Sequence, residues 1–264
     1  MRPPQDRRPA SRPSLARTPR RPARRAARRR ATSVAAEAGA RITLTTAAGQ
    51  PVAAYHAPAL EARRGGLVIL HAIWGVTPHL RELADGLAEQ GYEVIAPSLL
   101  DGPDSPFPVA DMDPPNLDAR MAMGLASGWG ATALPRVQAA IDALSGAGKV
   151  FALGFCFGGT TAWLAAARCT GLTAVSCFYG GDIAAYANEQ PKVPTILHFG
   201  RADSMIPLTD VEAITAAHPD LPVWLYDAGH AFVAPSGRHD DSARLAMLRT
   251  LQLFQRAGGG RGEA

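Results

Sequence analysis

The chain has 264 residues, 47% of them hydrophobic, which suits one α/β domain with a single sizeable core. No apolar run reaches the roughly 18 residues that a membrane span needs, so a soluble, cytoplasmic protein with no membrane partner is expected. The net charge of +4 averages two unlike regions: residues 1–30 hold 12 Arg against one acid, Asp6, while the rest holds 15 basic and 22 acidic side chains, so the basic pI implies no nucleic-acid partner for the domain.

Three cysteines, Cys156, Cys169 and Cys177, with no CxxC spacing, argue against a disulfide framework or a zinc site. A reducing compartment is the simpler expectation. The Arg, Pro and Ala of the first thirty residues cannot bury enough surface to offset their ordering entropy, so residues 1–40 are expected to form a disordered tail. A solvated tail, a start codon assigned too far upstream, an organelle transit peptide and a tether to nucleic acid or an acidic surface all fit that composition. The stretch 31–40 is too short and polar for a secretory signal. The domain is expected over 41–256, with a flexible tail over 257–264.

In chain order, Arg41–Thr46 and Pro51–Ala57 read as an antiparallel hairpin. Gly66–His71 is a continuous apolar run, as in a strand buried on both faces. Thr77 and Pro78 read as N-cap and N1 of a helix that runs to about Gln90, with Leu80, Leu83 and Leu87 on one face and Gly91 ending it. Tyr92–Ala96 is the next strand, and Leu99–Leu117, rich in Pro and Asp, reads as a long loop. Leu134–Leu144 is helical, Lys149–Phe155 a strand and Phe157–Arg168 a helix. Strands follow at Leu172–Tyr179, Pro194–Phe199 and Leu221–Tyr226, with helices at Leu208–Ala217 and Asp240–Gln255. The alternation predicts an α/β fold: a mostly parallel sheet with helices on both faces.

The sharpest motif is Gly154-Phe155-Cys156-Phe157-Gly158-Gly159, between a buried strand and a helix. It has the form of a nucleophile elbow with Cys in place of Ser. Small neighbours permit the tight turn, and the helix N-terminus behind Cys156 favours a thiolate. Asp203 lies just past one later strand and His230 just past the next. The chain order nucleophile, acid, histidine is that of α/β-hydrolases. The backbone N–H groups of Phe157 and Ile73 are the expected oxyanion donors.

These segments resemble the dienelactone hydrolase family. The resemblance rests on His71-Ala72-Ile73-Trp74-Gly75-Val76, the helix opening Thr77-Pro78-His79-Leu80-Arg81, the Gly91–Pro97 strand, the Cys156 motif, the Asp203 loop and Gly229-His230-Ala231-Phe232. It covers roughly Arg41 to Gln255. It implies an α/β-hydrolase fold and cleavage of a small cyclic ester such as carboxymethylenebutenolide, by a monomer without metal or cofactor. The family pattern usually has an acidic residue where Ala72 stands, and some members have a serine where Ala231 stands.

The expected enzyme is thus a hydrolase of a small ester or lactone in which Cys156 attacks, His230 handles the proton and Asp203 orients His230. Trp74, Phe157 and Phe232 flank the motifs and are candidates for an apolar pocket; Phe155 fits such a lining too, while Phe107 and Trp129, near or in the long connection, read as packing before lining. Arg201, Arg120 and Arg136 are candidates for holding a substrate carboxylate, Arg201 foremost. His71 reads as a strand-end packing residue. A thiol-redox or peroxide-sensing protein and a non-catalytic binding module on the same fold are the rival readings. The former suffers from Cys169 standing about 20 Å along the next helix, too far for a disulfide.

Overall fold

The computed structural model describes residues 39–102, 104 and 114–260. The expected N-terminal tail, Phe107 and residues 261–264 lie outside it. Eight strands form one sheet in the order β1-β2-β4-β3-β5-β6-β7-β8. β1 (Ala40–Thr45) and β2 (Pro51–Ala57) form the expected hairpin, and β2 pairs antiparallel with β4 (Tyr92–Pro97). From β4 onward, through β3 (Gly65–Leu70), β5 (Val150–Phe155), β6 (Ala174–Phe178), β7 (Thr195–Gly200) and β8 (Val223–Tyr226), every pairing is parallel.

The uninterrupted apolar runs of β3 and β5 are buried at every position, as strands covered on both faces must be. Helix α1 (Pro78–Ala88) starts where the Thr77 hydroxyl accepts the Leu80 N–H and Pro78 fills the first turn. Leu80, Ala84 and Leu87, spaced one turn apart, face the core. Tyr92, Phe151 and Phe254 stack into one aromatic cluster; Phe254 comes from the last helix, α6 (Asp240–Arg256). No helix among the described residues is long and apolar enough to cross a membrane.

Two expectations are corrected. The loop expected up to Leu117 ends earlier, because helix α2 runs Pro114–Ser127. Paired prolines read as breakers, yet a proline is tolerated in the first helical turn, where its missing N–H has no partner to lose. After Gly128, at φ 59°, a π-turn over Trp129–Ala133 leads into α3 (Leu134–Ser145). At the other end, Ala257–Gly259 hydrogen-bond back onto α6, so the described part of the expected C-terminal tail finishes that helix.

The order in which successive strands are added across the sheet switches sides between β3 and β5, where a crevice opens beyond the carboxyl ends of an open α/β sheet. Register Leu70↔Gly154 and Phe155↔Phe178 brings the ends of β3, β5 and β6 side by side there.

Candidate active site

Cys156 joins β5 to helix α4 (Phe157–Arg168) with φ 53° and ψ −115°, a conformation that costs a non-glycine residue about 1–3 kcal/mol. Glycine neighbours make the turn sterically possible. A Cβ on Gly154 would lie 1.9 Å from the Gly158 carbonyl oxygen, and one on Gly158 would lie 2.1 Å from that of Leu70. The Cys156 N–H donates to the Phe178 carbonyl at 3.0 Å, tying the turn to β6.

His230 Nδ1–H donates to Asp203 Oδ2 at 2.8 Å. The other Asp203 oxygen accepts the N–H groups of Met205 and Ile206 at 2.9 and 3.2 Å, so the carboxylate is held from both sides. Asp203 has no exposed side-chain surface. With Nδ1 committed, Nε2 of His230 is the atom left for proton transfer; it is buried and has no hydrogen-bond partner among the described residues. Burial disfavours charge on His230, but the Asp203 hydrogen bond and the adjacent Cys156 outweigh it and push its pKa up to about 9.

Two cavities meet at Cys156 and His230. One, of about 310 Å³, is bounded by the Ala72–Gly75 loop, one side of α1, Leu117 and Met121 of α2, Ala231 and Val233–Ser236. The other, of about 430 Å³, lies against Trp129, Phe157, Asp182 and Tyr186. Ile73 and Met121 line both. A larger surface groove of about 710 Å³ beside Trp224 and Arg249 touches none of these residues.

The Ile73 and Phe157 N–H groups find no backbone acceptor among the described residues, and both residues border the second cavity with Cys156. A chain of buried polar contacts holds the Ile73 loop. Leu99 N–H donates to His71 Nε2 at 2.8 Å, which leaves the proton on Nδ1 to donate to the Ala72 carbonyl at 2.6 Å. His71 is therefore a neutral strand-end brace; burial pulls its pKa down to about 4. Arg120 of α2 donates to the Ile73 carbonyl at 2.8 Å and pairs through both terminal nitrogens with Asp101. Arg136 holds the Ser98 and Asp101 carbonyls.

Of the residues singled out in the sequence, Trp74 and Phe155 line the first cavity, while Trp129 borders the second and stacks on Phe157 at 4.2 Å between ring centres. Phe232 and Arg201 line neither. Phe232 is fully buried, because Ala231 at φ 58° turns the chain inward after His230. Arg201 points to solvent and pairs with exposed Asp227 at 3.3 Å. Tyr179 was not singled out. It follows β6 at φ 38°, places its ring 5.1 Å from that of His230 and stays protonated through burial. Its signal was there to read: an aromatic at a strand's carboxyl end, followed by Gly-Gly. No group of three or more potential metal ligands occurs among the described residues.

Comparison with known proteins agrees with this architecture. A provisionally named carboxymethylenebutenolidase of Salmonella typhimurium is 31% identical over 244 residues, covering 84% of this chain and 89% of its own. The carboxymethylenebutenolidase of Pseudomonas putida is 30% identical over 203 residues, covering 71% and 84%. A solved structure, a provisionally named dienelactone hydrolase of Klebsiella pneumoniae, superposes with a TM-score of 0.69 at 25% identity, covering 83% of this chain and 98% of its own. The sequence model of the dienelactone hydrolase family matches residues 52–258. This α/β-hydrolase chain belongs to the dienelactone hydrolase family.

Proposed function

We propose that the protein hydrolyses a small ester or lactone through Cys156, His230 and Asp203, by way of a thioester. The observation that carries this reading is the 2.8 Å His230–Asp203 hydrogen bond beside a strained Cys156, at the meeting point of two cavities. The similar carboxymethylenebutenolidases point to the same reaction class.

The reacting form is a Cys156 thiolate beside a His230 imidazolium, whose proton is favoured because the Asp203 hydrogen bond and the adjacent Cys156 push the histidine up to about 9. The sulfur attacks the carbonyl carbon, and the new oxyanion is met by the Ile73 and Phe157 N–H groups. Collapse breaks the C–O bond as Nε2–H of His230 gives its proton to the leaving alkoxide. A lactone opens here and keeps its alcohol on the acyl group. Neutral His230 then takes a proton from water, hydroxide adds to the thioester, and collapse expels the thiolate and frees the acid. Asp203 fixes the tautomer throughout and stabilises the imidazolium.

The rival readings draw no support from the site. Burial pushes the Cys169 thiol up to about 11 and raises that of Cys177 further, so neither is a ready resolving thiol. A binding module would have no use for a strained nucleophile. Wild type should turn over p-nitrophenyl butyrate, and Cys156→Ala should lose at least about a thousandfold in kcat/KM. Turnover that survives the substitution would contradict the proposal.

A further inference from the structure

We infer that the site selects neutral, apolar esters or lactones and turns away substrates that carry a carboxylate near the scissile bond. The inference rests on the hydrolytic reading of Cys156, His230 and Asp203 given above.

Among the described residues, no Lys or Arg lines either cavity. The first is walled by aliphatic side chains such as Leu80, Leu83, Met121 and Val233, and its polar groups offer an anion little. The Thr77 hydroxyl accepts the Leu80 N–H of the α1 cap, the Ser236 hydroxyl and the Tyr179 phenol are uncharged, and burial lowers the pKa of His79 and favours its neutral form. In the second cavity the one charged side chain besides His230 among the described residues is Asp182, a carboxylate.

The arginines that might have met a carboxylate are engaged elsewhere. Arg120 is bound to Asp101 and the Ile73 carbonyl, Arg136 to two backbone carbonyls, and Arg201 to Asp227 in solvent. Arg238 is turned to Asp240 and the Val233 carbonyl. The stretch 103–113 contains three Asp and no Lys, Arg or His. Among the described residues His230 supplies the remaining positive charge, and it is already paired with Asp203. A substrate carboxylate would therefore lose its water in an apolar chamber without gaining a partner, a penalty that grows with burial.

Two p-nitrophenyl esters with acyl chains of matched shape test this on the full-length chain. One is the neutral 6-methylheptanoate and the other the adipate monoester, whose terminal carboxylate replaces the isopropyl end. The neutral ester should show a kcat/KM about 100-fold higher. A ratio under about tenfold would overturn the inference while leaving the hydrolytic reading intact. Turnover of neither ester would overturn that reading, and the inference with it. Met121→Lys places a cation on the wall shared by both cavities and should narrow the ratio at least tenfold. A folded variant with an unmoved ratio would contradict the electrostatic cause.

Discussion

Beside Cys156 the cavity wall at position 72 is a methyl group, Ala72, where the family pattern has an acid. A carboxylate there would disfavour a neighbouring thiolate by like-charge repulsion. Ala72→Glu is therefore expected to move the pH profile of Cys156 alkylation by iodoacetamide upward by about one unit or more; an unmoved profile would contradict the Cys156–His230 ion pair. The same pair governs the pH dependence of hydrolysis. His230 keeps its proton in the folded enzyme up to about pH 9, above the ordinary value near 6.5. In the proposed mechanism that proton goes to the leaving group, so kcat/KM should hold to about pH 9 and fall beyond it. A fall centred near 6.5 would show that the histidine is unperturbed. Cys156, Asp203 and His230 were legible in the sequence because each sits in a short motif at a strand's carboxyl end. Arg201 and Phe232 were misjudged from nearness alone. Which way a side chain leaves such a loop depends on backbone turns like that at Ala231, which no local pattern announces.

Helix α2 does more than cover the site. Through Arg120 it grips both the Ile73 carbonyl and Asp101; the Arg120 and Asp101 side chains are 6% and 9% exposed. Removing one partner of a buried ion pair leaves the other charge dry and unpaired, which typically costs 3–5 kcal/mol. Arg120→Met should lower stability by about 3 kcal/mol in urea denaturation. It should also reduce kcat in the fraction that remains folded, because the Ile73 loop loses its anchor. A loss under about 1 kcal/mol would show that the pair is solvated and the anchor unimportant. The sequence did not reveal this element, because Pro114 and Pro115 at its start read as loop and its apolar face is short. By contrast α1 was legible from its start, although it ends at Ala88, two residues short of the expected Gln90. Its Thr77 cap, Pro78 and the Leu80/Leu87 stripe are local signals that tertiary packing reinforces.

Across the whole molecule, the alternation of strands and helices made the mostly parallel sheet legible. The position of β4 between β2 and β3 was not, since strand order follows from how the crossovers pack. Inside that sheet His198 sits neutral among Tyr226, Ser176 and Thr250, and burial pulls its pKa down to about 3. His71 is likewise held at about 4. The unfolded chain protonates both near 6.5 while the folded one does not, so their stabilisation is complete above about 6.5 and fades as pH falls toward 4. Each should add a slope approaching about 1.4 kcal/mol per pH unit across that window. Unfolding free energies measured at pH 7, 6 and 5 should fall accordingly; a flat series would mean that water reaches these histidines. The central claim, that Cys156 forms a thioester with the substrate, is tested most directly by intact-mass spectrometry of the protein quenched in acid during turnover of p-nitrophenyl butyrate. The account predicts one added butyryl group, mapped by peptide analysis to Cys156 and absent from Cys156→Ala. Acylation at another residue, or the same adduct in Cys156→Ala, would contradict it.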